Sequence, residues 1–165
     1  MNHDEKLLSK QMQLKLETLA EELQEQNEFL QALRDASSLS SRTINGMPKS
    51  KKIDNGAEAN RVIALLEAER RKKCIERRIE ARISVLKEND LRNVPQKMRV
   101  LRLRYISGLE WADIASLMFG ECPDFAARND SYMRKVYRWH VSACFEIGQY
   151  FENKTGRKNY DYDKE

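Results

Sequence analysis

The sequence predicts an all-α chain: a long, coiled-coil-like helical hairpin followed by a C-terminal helix-turn-helix domain. Three observations carry that expectation. Leucines recur at three- and four-residue spacings through the first 36 residues, a second stretch from Ala57 to Asn89 holds no glycine or proline, and Met98 to Ile147 reads as helix, glycine turn, short helix and a final cation-studded helix.

The first element spans residues 1–36. Met12, Leu16, Leu19, Leu23, Leu30 and Leu33 make a heptad-like seam, with polar Gln26 filling one gap, on a helix of roughly residues 4 to 36. Leucine, glutamate, glutamine and lysine around the seam are good helix formers. A seam of this kind implies a helical partner, in the same chain or in a second copy.

Residues 37–56 break the pattern. Ser37-Ser-Leu-Ser-Ser41, Asn45-Gly46, Pro48 and Asn55-Gly56 favour turns, and Lys49, Lys51 and Lys52 keep the segment solvated. A flexible basic linker is expected, with a phosphate-contacting arm as the alternative. Residues 57–90 form the second long helix, with Leu65, Ala68, Ile75, Ile79 and Leu86 on its apolar stripe and Lys72 and Arg82 interrupting it. Its cationic cluster, Arg70-Arg-Lys-Lys73 with Arg77, Arg78 and Arg82, serves either pairing with the acidic first helix or contact with nucleic acid.

Asn89 to Pro95 is the boundary of the third region, residues 91–150. Proline suits a first helical turn, so a helix is expected to begin near Val94 or Pro95. Met98, Leu101 and Tyr105 line its inner face, and Gly108 supplies the left-handed stop. Leu109, Trp111, Ile114, Ala115 and Met118 give the next helix its apolar side. The last helix is expected to start near Asp130 or Ser131, which cap free amides, and to run to about Tyr150. Val136, Trp139, Ala143 or Cys144, and Ile147 form its buried stripe. Residues 151–165 read as a polar tail.

Of the 165 residues, 34% are charged and 8% aromatic, so apolar surface is scarce for one compact core and an extended helical arrangement suits the chain better. The net charge of +4 is uneven. Residues 1–36 carry four Lys/Arg against eight Asp/Glu, and the remainder carries 26 against 18. A nucleic-acid-facing surface is therefore expected after the first helix.

No apolar run approaches bilayer length and no secretory signal is visible at Met1, so a soluble protein with no membrane partner is expected. Cys74, Cys122 and Cys144 are far apart and only His3 and His140 accompany them, which speaks for free thiols and no metal. No phosphate-cradling glycine loop and no nucleophile–base pair stand out. A non-enzymatic protein without cofactor is expected.

On the final helix, Met133, Arg134, Tyr137 and Arg138 lie opposite the buried stripe, with Lys135 and His140 at the margins. A helix fits the major groove, arginine holds a guanine edge, and lysine or tyrosine meets phosphate oxygens. Arg99, Arg102 and Arg104 on the earlier helix add sequence-independent attraction. For His140 a satisfied structural histidine is the competing role.

The run Arg102-Leu-Arg-Tyr-Ile-Ser-Gly-Leu-Glu-Trp-Ala-Asp-Ile-Ala115, followed by Val136-Tyr-Arg-Trp-His140, resembles the sigma-70 region 4-like domain of bacteriophage proteins. Within that group it is similar to uncharacterised phage proteins related to the ArpU and RinA late-transcription regulators. Ser41-Arg-Thr-Ile-Asn-Gly-Met-Pro48 and Lys52-Ile-Asp-Asn-Gly56 extend the likeness, which covers roughly residues 38 to 148. The chain departs from that pattern where Phe119 to Asp130 replaces a short turn and Tyr132 stands at the usual capping serine.

The resemblance implies a phage or prophage-encoded transcriptional regulator in the bacterial cytoplasm, binding double-stranded DNA, RNA polymerase or both. Homo-oligomerisation through the heptad helices fits the same reading. The alternative is a coiled-coil adaptor that docks on RNA polymerase or a phage assembly component without reading sequence.

Overall fold

The computed structural model of the chain describes residues 2–40, 55–87 and 93–160. These residues form helices α1 (His3–Ser40), α2 (Asn55–Ser84), α3 (Val94–Tyr105), α4 (Trp111–Phe119) and α5 (Phe125–Tyr160), with a 3-10 turn at Val85–Lys87. The protein is all-α, with no strand among the described residues. Most of the expected linker, including Lys49 to Lys52, and the last five residues of the expected tail lie outside the described residues.

Local signals account for the starts of α1 and α3. Asn2 and Glu5 cap α1 reciprocally: the Glu5 N–H donates to Asn2 Oδ1 at 2.9 Å and the Asn2 N–H to Glu5 Oε2 at 2.8 Å. The helix continues to Ser40, four residues past its expected end. Serine costs a helix only a few tenths of a kcal/mol, so the serine run weakens α1 without stopping it. Pro95 sits in the first turn of α3, preceded by Asn93 at φ 62°; asparagine is among the few non-glycine residues that accept this left-handed conformation. Gly108, at φ +69°, turns the chain out of α3. There the N–H groups of Ser107 and Leu109 donate to the carbonyls of Arg102 and Leu103, at 3.0 Å each.

The segment after α4 differs from expectation. Helix α5 begins at Phe125, and Asp130 and Ser131 lie inside it. Non-helical dihedrals at Arg128 (φ −125°, ψ 22°) kink the helix there, two residues before the expected start. Asp124 holds the short first section: Arg128 Nη1 donates to Oδ2 at 3.1 Å and the Tyr132 hydroxyl to Oδ1 at 2.7 Å. These bonds, the Tyr132 one foremost, keep the Asp124 carboxyl below its ordinary range. At the other end α5 runs through the expected tail to Tyr160.

One compact unit joins Met1–Ala20 to Arg78–Glu165, and Glu21–Arg77 makes the second. In the first, Val100, Ile114, Ala115 and Val136 are fully buried where α3, α4 and α5 meet, with Leu103, Trp111, Met118, Phe125 and Met133 packed around them. The opening of α1 lies along α5. Ser9 Oγ donates to the Val141 carbonyl at 3.1 Å, and Gly148 lets Leu8 approach so closely that a Cβ there would stand 2.7 Å from Leu8 Cγ. Lys97 and Glu146 form a buried ion pair at 2.5 Å, and Ser142 Oγ donates to the same carboxylate oxygen at 2.9 Å. Fully burying a side chain such as Ile114 or Val136 stabilises by about 1.5–3 kcal/mol, whereas the attraction within a buried ion pair is largely offset by the desolvation of its two charges. Apolar contact therefore sets the position of α5.

In the second unit Leu23, Leu30, Ala68 and Ile75 are buried. An isolated helix cannot bury a leucine, so the two stripes cover each other. One ion pair between the helices joins Arg34 of α1 to Glu69 of α2 at 3.2 Å. Arg70, Arg71, Lys73 and Arg77 are exposed. The heptad seam is thus spent within one chain, and an oligomer has to use other faces. Gln26 lies on this seam with Oε1 buried and unpartnered.

Candidate nucleic-acid interface

Helical periodicity around the buried Val136, His140, Ala143, Cys144 and Ile147 leaves the opposite side of α5 to solvent. Arg134 and Arg138, one turn apart, stand at the centre of that side, both exposed. Their Nε groups make long bonds to carbonyls of their own helix, Asp130 at 3.3 Å and Arg134 at 3.4 Å. Neither forms an ion pair among the described residues, so two guanidinium groups project with their charge uncompensated.

The flanks are aromatic. Tyr137 is half exposed and meets Trp111 edge-on at 5.8 Å. On the other side Lys135 Nζ lies 5.1 Å from the ring centres of both Phe119 and Trp139. The ammonium is held over two π faces yet stays exposed, a placement that keeps it available to an anion. Beside it an open groove of about 460 Å³ runs past Arg99, Met118 and Gln96. Arg99 Nη2 reaches the Leu117 carbonyl at 3.4 Å and the side chain is otherwise exposed.

Four expected contact residues take different positions. Met133 is half buried and packs on the core beside Val136, because its place on the helix falls on the inner flank. His140 is fully buried. Its Nε2 lies 2.7 Å from the Tyr105 hydroxyl and 3.6 Å from Cys144 Sγ, and its ring packs edge-on against Trp111. Desolvation, with the Arg104 charge second, pushes its pKa down to about 4, so the imidazole is neutral. His140 therefore leaves the set of DNA-facing candidates for the core.

Arg102 is bound by Glu80 of α2 in a two-pronged pair, Nε to Oε2 at 2.9 Å and Nη2 to Oε1. The guanidinium holds the Glu80 carboxyl below its ordinary range. Arg104 pins the turn: Nη1 donates to the Leu109 carbonyl at 3.0 Å and pairs with Glu110 at 3.1 Å, with the guanidinium 5.0 Å from the Trp111 ring centre. Both guanidinium groups are paired within the chain, so among the expected contact residues the free positive charge narrows to Arg134, Arg138, Lys135 and Arg99.

Glu80, Glu110 and Asp124 were not singled out from the sequence, yet they decide which cations remain free. Among the described residues no group of three or more His, Cys, Asp or Glu is placed to hold a metal ion, and no helix is long and apolar enough to cross a membrane. Comparison with protein-family models, curated proteins and solved structures yields no match.

Proposed function

We propose that the chain is a DNA-binding transcriptional regulator in which α3, α4 and α5 act as a helix-turn-helix of the sigma-70 region 4-like kind, with α5 as the helix that enters the major groove. The observation that carries this reading is the pair Arg134 and Arg138: exposed, one turn apart, uncompensated, and set on a helix anchored by the fully buried Val136. Arginines at this spacing offer bidentate donors to guanine edges, while Tyr137, Lys135 and Arg99 are placed to meet phosphate oxygens. Arg102 and Arg104 act instead as struts that hold α3 against α2 and the α3–α4 turn. The phage or prophage origin, and docking on RNA polymerase, belong to the same proposal and rest on the resemblance of the Arg104 to Ala115 run.

The test is a salt-titrated binding assay of the purified full chain against fragments from the neighbourhood of its own gene, with random DNA as competitor. A preferred fragment, bound with affinity that falls steeply as salt rises, supports a sequence-reading regulator. Weak binding to all fragments alike, lost near physiological salt, replaces it with the adaptor reading.

A further inference from the structure

The cationic cluster of α2 takes no part in sequence reading by α5. Within the Glu21–Arg77 unit Lys72 pairs with Glu76 at 3.9 Å, while Arg70, Arg71, Lys73 and Arg77 are exposed and none of the four forms an ion pair among the described residues. Arg70, Lys73 and Arg77 follow one another at three and four residues, on the side of α2 opposite the buried Ala68 and Ile75. Arg71 flanks them. At a rise of about 1.5 Å per residue the four charges occupy roughly 10 Å of helix.

The acids of α1 do not neutralise this stripe. Glu21, Glu25 and Glu28 are exposed on the side of α1 opposite the buried Leu23 and Leu30, so the packing of α1 on α2 directs them away from the contact. The unit therefore carries negative charge on its α1 side and positive charge on its α2 side. A polyanion is attracted to one side and repelled by the other, which fixes the face on which it binds.

We propose that the outward side of α2 is a second nucleic-acid contact, one that holds the sugar-phosphate backbone of double-stranded DNA without reading its sequence. Duplex DNA carries one negative charge per about 1.7 Å of its axis, so every cation of the stripe has a phosphate within reach. Three of the four are arginines, whose planar donor forks suit phosphate oxygens. An acidic protein helix presents about one carboxylate per 5.4 Å turn along a single face, a far sparser match, and this favours DNA as the occupant. The contact does not rest on base reading by Arg134 and Arg138.

The experiment is a salt titration of the full chain against a short random-sequence duplex by fluorescence anisotropy, with circular dichroism confirming that each variant is folded. Replacing Arg70, Arg71, Lys73 and Arg77 together by glutamine is expected to weaken binding. It is also expected to make the dependence of log affinity on log salt shallower by roughly 3, since each lost phosphate contact removes about 0.9 from the slope. Lys6→Gln, Lys10→Gln and Lys15→Gln, which take exposed charge from α1 instead, are expected to leave the slope unchanged. In an Arg134→Ala, Arg138→Ala background the α2 substitutions are expected to change the slope by the same amount, so the result is separate from whether α5 reads sequence. A chain that binds no random duplex overturns the proposal, as does a folded α2 variant whose slope falls no more than that of the α1 variant. Poly-glutamate that competes as well as duplex DNA at equal charge also overturns it, in favour of an acidic protein partner.

Discussion

The Tyr105 hydroxyl and His140 Nε2 meet at 2.7 Å where Tyr105 is 3% and His140 0% exposed, so a titratable ring is enclosed at the junction of α3 and α5. Burial also pushes the Tyr105 hydroxyl upward and the Cys144 thiol to about 12. Both neighbours keep their protons throughout the neutral range.

The enclosed histidine predicts an acid-sensitive fold. His140 titrates at about 4 when folded and at its ordinary 6.5 when unfolded, so the unfolded chain takes up the proton first. Stability is complete above the unfolded value and falls as pH drops from 6.5 towards 4, by up to roughly 3 kcal/mol. Urea denaturation at pH steps across this window checks it. His140→Gln is expected to flatten the slope above the carboxylate range, and an unchanged slope sinks the assignment.

Tyr105→Phe removes the ring's one strong partner and leaves Nε2 facing carbon and sulfur. A loss of about 1–3 kcal/mol is expected in equilibrium unfolding, the ordinary consequence of stranding a buried polar atom. A cost within a few tenths of a kcal/mol means that the hydrogen bond contributes little.

Gly148→Ala tests the approach of α1 to α5. Helix propensity alone favours alanine by about 1 kcal/mol, but the new methyl would stand 2.7 Å from Leu8 Cγ. A net loss of roughly 1–3 kcal/mol is expected, relieved by Leu8→Ala in the same chain. A stabilised Gly148→Ala protein contradicts the contact.

The Lys97–Glu146 pair, whose side chains are 7% and 12% exposed, predicts strong non-additivity. Lys97→Met or Glu146→Leu alone leaves an uncompensated buried charge, at about 3–5 kcal/mol, whereas the double replacement is expected to cost far less. A double-mutant cycle by chemical denaturation gives the coupling. Additive losses show the pair to be incidental.

What was legible in the sequence was whatever a single helix states about itself. The seam of Leu16, Leu19, Leu23 and Leu30, Pro95 at the start of α3 and the left-handed turn at Gly108 are local signals, and the fold class followed from them. The start of α5 was not legible, because Asp124 acts through Arg128 and Tyr132, four and eight residues on, instead of through a standard cap. The candidate site was half legible. Arg134 and Arg138 emerge from periodicity alone, but the fates of His140 and Arg102 depend on Tyr105 and Glu80, 35 and 22 residues away in the chain. No spacing rule reaches across that distance.

Whether α5 reads DNA sequence is decided by selecting bound sequences from a random DNA pool with the wild type and with a folded Arg134→Ala, Arg138→Ala variant, beside Arg102→Ala. The wild type is expected to enrich a defined motif and the α5 variant to lose it. Arg102→Ala, whose charge Glu80 already neutralises, is predicted to keep the motif. Failure of the wild type to enrich any motif, or enrichment of the same motif by the α5 variant, contradicts α5 as the reading helix.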